Sequence, residues 1–137
     1  MIPKWLEIAQ GELGVAEVSG DADNPRILEY HQHTGLKASD DEVPWCSSFV
    51  CWCMSQAHCI STNKANARSW LTWGVPLHVP AYGCVVVLKR GNNPAQGHVG
   101  FLVGMNNSHV TILGGNQADK VCEMKFPLNQ VLSYRWL

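Results

Sequence analysis

One hundred and thirty-seven residues are enough for one domain, and ten Lys plus Arg against eleven Asp plus Glu leave a formal charge of −1. With 46% hydrophobic and only 15% charged residues, the chain is excluded from the disordered class and can build one core. A near-neutral balance excludes a nucleic-acid module that works by displacing counterions, and apolar runs such as Cys84 to Leu88 fall far short of a membrane span.

The opening Met1-Ile-Pro-Lys-Trp-Leu-Glu7 has no apolar stretch of signal-peptide length, so the expectation is synthesis in the cytoplasm without a signal peptide. Between Pro3 and Leu13, apolar Trp5, Leu6, Ile8 and Ala9 make a helical face that ends near Gly14. Asn24-Pro25 reads as an N-cap followed by proline at the first helical position, with Gly35 as the stop. Asp21-Ala-Asp23-Asn24 lacks the glycine and distal glutamate of a calcium loop. After Pro44, residues Cys46, Phe49, Val50, Cys53 and Ala57 fall at offsets 0, 3, 4, 7 and 11, one face of a helix. Ala65 to Trp73 is a short helix closed by Gly74.

From Cys84 the period changes. Cys84 to Leu88 is β-branched and reads as a buried strand, followed by a loop at Gly91 to Pro94. His98 to Gly104 and His109 to Leu113 are strands around an Asn106-Asn107-Ser108 turn, and Val131 to Trp136 is a last strand. Helices followed by strands with short turns predict an α+β fold with an antiparallel sheet, one domain over residues 1–137. The helix that starts at Cys46 is expected to pack on that sheet.

Six cysteines stand at 46, 51, 53, 59, 84 and 122, with no Cys-x-x-Cys and no zinc-finger spacing. His31-x-His33 and His58-Cys59 come nearest to it, so no metal and no cofactor are expected, and most thiols read as small packing groups. Cys46 differs, because a helix start offers unpaired N–H groups and the positive end of the dipole, which favour thiolate. A nucleophilic cysteine needs a base, and the base needs an orienter. His98 opens its strand between glycines, in Gln96-Gly97-His98-Val99-Gly100. Folding the hairpin at Asn106 and Asn107 sets residues 115 and 116 opposite His98, within about one residue of register. Asn116 can then accept the proton of one ring nitrogen and leave the other for the sulfur. Cys46, His98 and Asn116 stand in an order that a cysteine hydrolase can use.

Asp41-Glu-Val-Pro-Trp-Cys-Ser-Ser-Phe-Val50, Gly97-His-Val-Gly-Phe101 and Leu113-Gly-Gly-Asn-Gln117 together resemble the CHAP and NlpC/P60 superfamily of cell-wall cysteine peptidases and amidases. The resemblance is nearest to a small single-domain CHAP-like subgroup of phage lysis genes and secretion systems. Asp23 to Ile27, Ala67 to Trp70 and Tyr134 to Trp136 extend it over nearly the whole chain. It implies a papain-like arrangement with nucleophile Cys46, base His98 and a polar third residue. Many CHAP domains carry Glu where Gly114 falls, and many NlpC/P60 domains use a second His; neither is present here, so Asn116 is the first choice and Gln117 the reserve.

The resemblance further implies amide hydrolysis in bacterial peptidoglycan, as N-acetylmuramoyl-L-alanine amidase or stem-peptide endopeptidase. Trp45, Gln117, Asp41 and Trp70 are the expected substrate contacts, although Asp41 also suits a solvated loop and Trp70 a packed core. The expected partners are peptidoglycan and an immunity or delivery protein, with a monomer acting on the wall or periplasm after release or secretion. Two rivals stand beside this reading: a papain-like hydrolase or acyltransferase acting on protein, and a wall-binding or interaction module without turnover.

Overall fold

The helices come first in the chain, as the apolar spacing requires: α1 (Lys4–Gln10), α2 (Pro25–His31) and α3 (Cys46–Gln56). The computed structural model describes residues 2–18, 24–34 and 45–137. The start of α2 is the one written in the sequence, with Asn24 Oδ1 accepting from the Arg26 N–H at 2.9 Å and Pro25 at the first helical position. Its expected stop, Gly35, lies outside the described residues. Residues 67–72 form a 3₁₀ helix (Ala67–Thr72), shorter and tighter than the helix expected over 65–73.

Strands β1 (Val75–Pro76), β2 (Val85–Lys89), β3 (Gly97–Met105), β4 (His109–Gln117), β5 (Lys120–Pro127) and β6 (Val131–Trp136) form one sheet in the order β1-β6-β2-β3-β4-β5. All the pairings are antiparallel, so the fold class is α+β. Strand β5 is absent from the sequence reading. After the buried Val121 and half-buried Cys122, its side chains alternate between exposed and half-buried, so no continuous apolar run marks it.

Each face of the sheet has its own core. Val85, Val87, Val99, Phe101 and Leu113 pack against the helices, while Cys84, Val86, Leu88, Leu102 and Ile112 form a second cluster on the other face. Strand β2 is thus buried on both sides, which explains its unbroken apolar run. Helix α3 is buried along Cys46 to Met54 rather than on one stripe, because α1, α2 and the sheet enclose it. No helix among the described residues is long and apolar enough to cross a membrane.

The join between α3 and β4 depends on Gly115. A Cβ there would lie 2.7 Å from Trp45 Cζ3 and 2.8 Å from Phe49 Cβ, closer than packed side chains allow. Gly115→Ala must push the start of α3 off the sheet, and overpacking of this kind costs about 1–3 kcal/mol. A lowered urea midpoint at unchanged slope is the expected result. An unchanged midpoint would show that this contact does not set the position of α3.

Candidate functional site

Cys46 is the first residue of α3 and only 6% exposed. The backbone N–H groups of Val99, the residue after His98, and of Ser47 and Cys46 itself favour its ionised form. The helix start therefore supplies N–H donors, as expected. Burial nevertheless pushes the thiol above its ordinary pKa, and the N–H groups and the Arg90 charge only partly offset it. Desolvation thus opposes the thiolate that the helix start favours.

His98 is the second residue of β3 and is 2% exposed. It pairs across the sheet with Leu88, and its ring centroid lies 5.2 Å from that of Phe126. Its Nε2 is 2.7 Å from Gln117 Oε1. The Gln117 amide nitrogen donates to the Cys122 carbonyl at 2.6 Å and the Ile112 carbonyl at 3.1 Å, so its oxygen is the atom turned to the ring. That network assigns the ring proton to Nε2 and the lone pair to Nδ1. Nδ1 has no hydrogen-bond partner among the described residues, and none is formed with the Cys46 sulfur. Burial pushes the imidazole pKa down to about 4; the Gln117 hydrogen bond raises it and the Arg90 charge lowers it further.

Gln117, not Asn116, therefore holds the ring, and the first choice of orienter is corrected. Simple alternation along β4 would put residue 116 on the His98 face beside Gly114. Instead, the β4–β5 register shifts between Gly114 and Gln117, and Asn116 adopts a left-handed φ of 57°. The bulge moves the inward position on by one residue. Gly114 makes room for it: a Cβ there would lie 2.8 Å from Gln117 Oε1 and 3.4 Å from His98 Nε2. Gln117 reaches back into the space that a side chain at 114 would fill.

Of the residues expected to contact substrate, the three that are described are buried. Gln117 is 2% exposed and faces the imidazole, not the solvent. Trp45 is fully buried, stacked on Tyr30 at 5.8 Å, and is core rather than cleft wall. Trp70 is also fully buried, donating its indole N–H to Ser47 Oγ at 2.8 Å. Asp41 lies outside the described residues. His31 is buried with its Nδ1 2.9 Å from Ser48 Oγ, and no group of three His, Cys, Asp or Glu among the described residues is placed to hold a metal ion.

The opening to Cys46 is a cleft of about 380 Å³, lined by Asn66, Ala67, Arg90, Gln96 and Gly97 as well as Cys46. Arg68 fixes its far wall, donating from Nε to the Gln96 carbonyl at 2.7 Å. Arg90, Gln96 and Asn66 were not singled out by sequence reasoning. An arginine after a strand has the signature of a solvated turn, and only the fold brings it to the cysteine.

The neutral pair has a kinetic signature. Alkylation of Cys46 by iodoacetamide is expected to quicken with pH up to and beyond about 9, because thiolate forms only above the ordinary thiol pKa. Mass spectrometry of the Cys46 peptide reads it, and a rate already flat between about pH 5 and 8 would mean a preformed thiolate–imidazolium pair.

Residues 38–116 match the model of the CHAP domain family. No curated protein matches the chain.

Proposed function

The chain belongs to the CHAP domain family, generally a peptidoglycan-hydrolase module, and we propose that it cleaves an amide bond of peptidoglycan through Cys46, His98 and Gln117. The observation that carries this reading is a buried imidazole tied at Nε2 to Gln117 and open at Nδ1, with the next N–H in its strand favouring ionisation of the cleft cysteine.

The chemistry follows from the protonation states. With thiol and imidazole both neutral, Nδ1 takes the Sγ proton as the sulfur attacks the substrate carbonyl carbon. This step requires Sγ and Nδ1 to draw into hydrogen-bond reach when substrate fills the cleft. The Cys46 N–H, which has no intrahelical acceptor at the helix start, stabilises the oxyanion. The C–N bond breaks as imidazolium returns the proton to the leaving amine, giving a thioester on Cys46. An imidazole with a pKa near 4 is a weak base but, once protonated, a strong acid, which suits departure of a poor amine leaving group. Water, deprotonated by Nδ1, then adds to the thioester and releases the carboxylate and the thiol. Gln117 keeps the proton on Nε2 throughout.

The lack of a sulfur–imidazole hydrogen bond favours one second reading, a wall-binding module without turnover. Amide hydrolysis frees one amine and one carboxylate per bond and no reducing sugar. Purified sacculi labelled with fluorodinitrobenzene after digestion are expected to show new amino termini at constant reducing ends. L-Alanine as the new terminus means cleavage at the lactyl–alanine amide, and an internal stem residue means endopeptidase action. No new amines, with sacculi still bound, would replace the hydrolase by the binding module.

A further inference from the structure

Three of the four arginines are committed within the described residues. Arg26 pairs with Glu12 and Glu29, Arg68 donates to the Gln96 and Asn93 carbonyls, and Arg135 donates to the Trp73 and Gly74 carbonyls. Arg90 makes no hydrogen bond or ion pair among the described residues. It stands just after β2, where Lys89 pairs with Gly97, and it lines the same cleft as Cys46. Among the described residues, no acidic side chain lines that cleft, and Arg90 is its one charged group. Its field reaches both reacting groups, since it lowers the pKa of the Cys46 thiol and of the His98 imidazole.

We propose that Arg90 is a specificity-determining residue that binds a free carboxylate of the peptide substrate, next to the amide delivered to Cys46. The proposal rests on the hydrolase reading for the identity of the peptide. A guanidinium offers a planar fork of donors that fits a carboxylate with two parallel hydrogen bonds. The cleft, about 380 Å³, has the size of a small-ligand site, so an anion held by Arg90 and a carbonyl at Cys46 belong to one short segment. The wall of the cleft is fixed beforehand, because Arg68 holds the 93–96 loop to the 3₁₀ helix. Lysine-containing stem peptides carry two suitable carboxylates: the α-carboxylate of a γ-linked glutamate and the C-terminal carboxylate.

The test is a cycle of protein and ligand changes on the full-length Cys46→Ala protein, which binds without turnover. Three lysine-containing stem pentapeptides are titrated calorimetrically: the free acid, the form amidated at the γ-linked glutamate, and the C-terminal amide. One of the two amidations is expected to weaken binding about tenfold or more, the scale of a charged hydrogen bond, and it identifies which carboxylate Arg90 holds. Arg90→Gln in the same background is expected to bind all three peptides alike, and Arg90→Lys to restore part of the preference. Equal sensitivity to amidation with and without Arg90, or no binding of any of the three, overturns the proposal. A flat cycle with wild-type digestion of sacculi removes the Arg90 anchor and leaves the hydrolase. A positive cycle without digestion leaves the anchor and removes hydrolysis.

Discussion

Gln117→Leu is expected to lower kcat about a hundredfold or more while leaving KM nearly unchanged, because Gln117 touches His98 and not the substrate. Leucine fills the space but accepts nothing, so the Nε2 proton of His98 loses its acceptor at 2.7 Å and the ring is free to present the wrong nitrogen. The Ile112 and Cys122 carbonyls lose their donor as well. Buried groups left unpaired cost about 1–3 kcal/mol each, so the urea midpoint falls too. The kcat-against-KM split separates positioning from mere destabilisation, since a less stable but correctly built enzyme keeps its kcat while folded. Asn116→Gly is the matching control: it removes the side chain and keeps the left-handed backbone at φ 57°, so activity is expected to persist. Loss of activity in Asn116→Gly, with Gln117→Leu active, would restore Asn116 as the orienter.

Acidification from pH 7 to 4 is expected to remove about 3 kcal/mol of stability through His98 alone. Its folded pKa of about 4 lies below the 6.5 of an unperturbed histidine, because burial penalises the imidazolium. Between those two values the unfolded chain binds more protons than the folded one, so stability rises with pH across the window. The contribution is fully present above about 6.5 and is lost as pH falls through about 4. Urea unfolding at pH 7, 5 and 4 measures it. The wild type is expected to lose about 3 kcal/mol more than His98→Gln over this range. Parallel losses in the two proteins would mean that His98 does not stay neutral in the fold.

Local signals in the sequence were read successfully where short-range physics decides them. Asn24-Pro25 caps α2 because an acceptor side chain followed by a fixed φ suits a helix start in any tertiary setting. Val85 to Leu88 declares a strand through its β-branched run, and the expected start of α3 at Cys46 is the observed one. The hairpin turn brings the right part of β4 beside His98, but the last residue of register is decided by the bulge at 114–117. Asparagine tolerates a left-handed φ without demanding one, so nothing at Asn116 announces that the inward side chain is the next one. The clue that was available is Gly114, which vacates the position on the imidazole and leaves room for a longer side chain to fold back.

Burial was the least legible property. Trp45 and Trp70 suit a cleft wall or a core equally well by type, and only the packing of α2, α3 and the 3₁₀ helix buries them both. The same enclosure sets the protonation of Cys46, whose helix-start donors are present but outweighed by desolvation. Arg90 shows the converse: its residue type suggests a solvated turn, and its meaning comes from lining the cleft with Cys46.

Digestion of purified sacculi by the wild type and by Cys46→Ala, with the soluble muropeptides read by mass spectrometry, tests the thiol mechanism most directly. Cys46→Ala removes a single sulfur atom at the edge of the cleft, and circular dichroism of the variant checks that the fold is kept. The wild type is expected to release peptide fragments whose masses fit one hydrolysed amide bond, and Cys46→Ala to release none above the no-enzyme control. Unchanged muropeptides with the wild type, or equal release by Cys46→Ala, would contradict the mechanism.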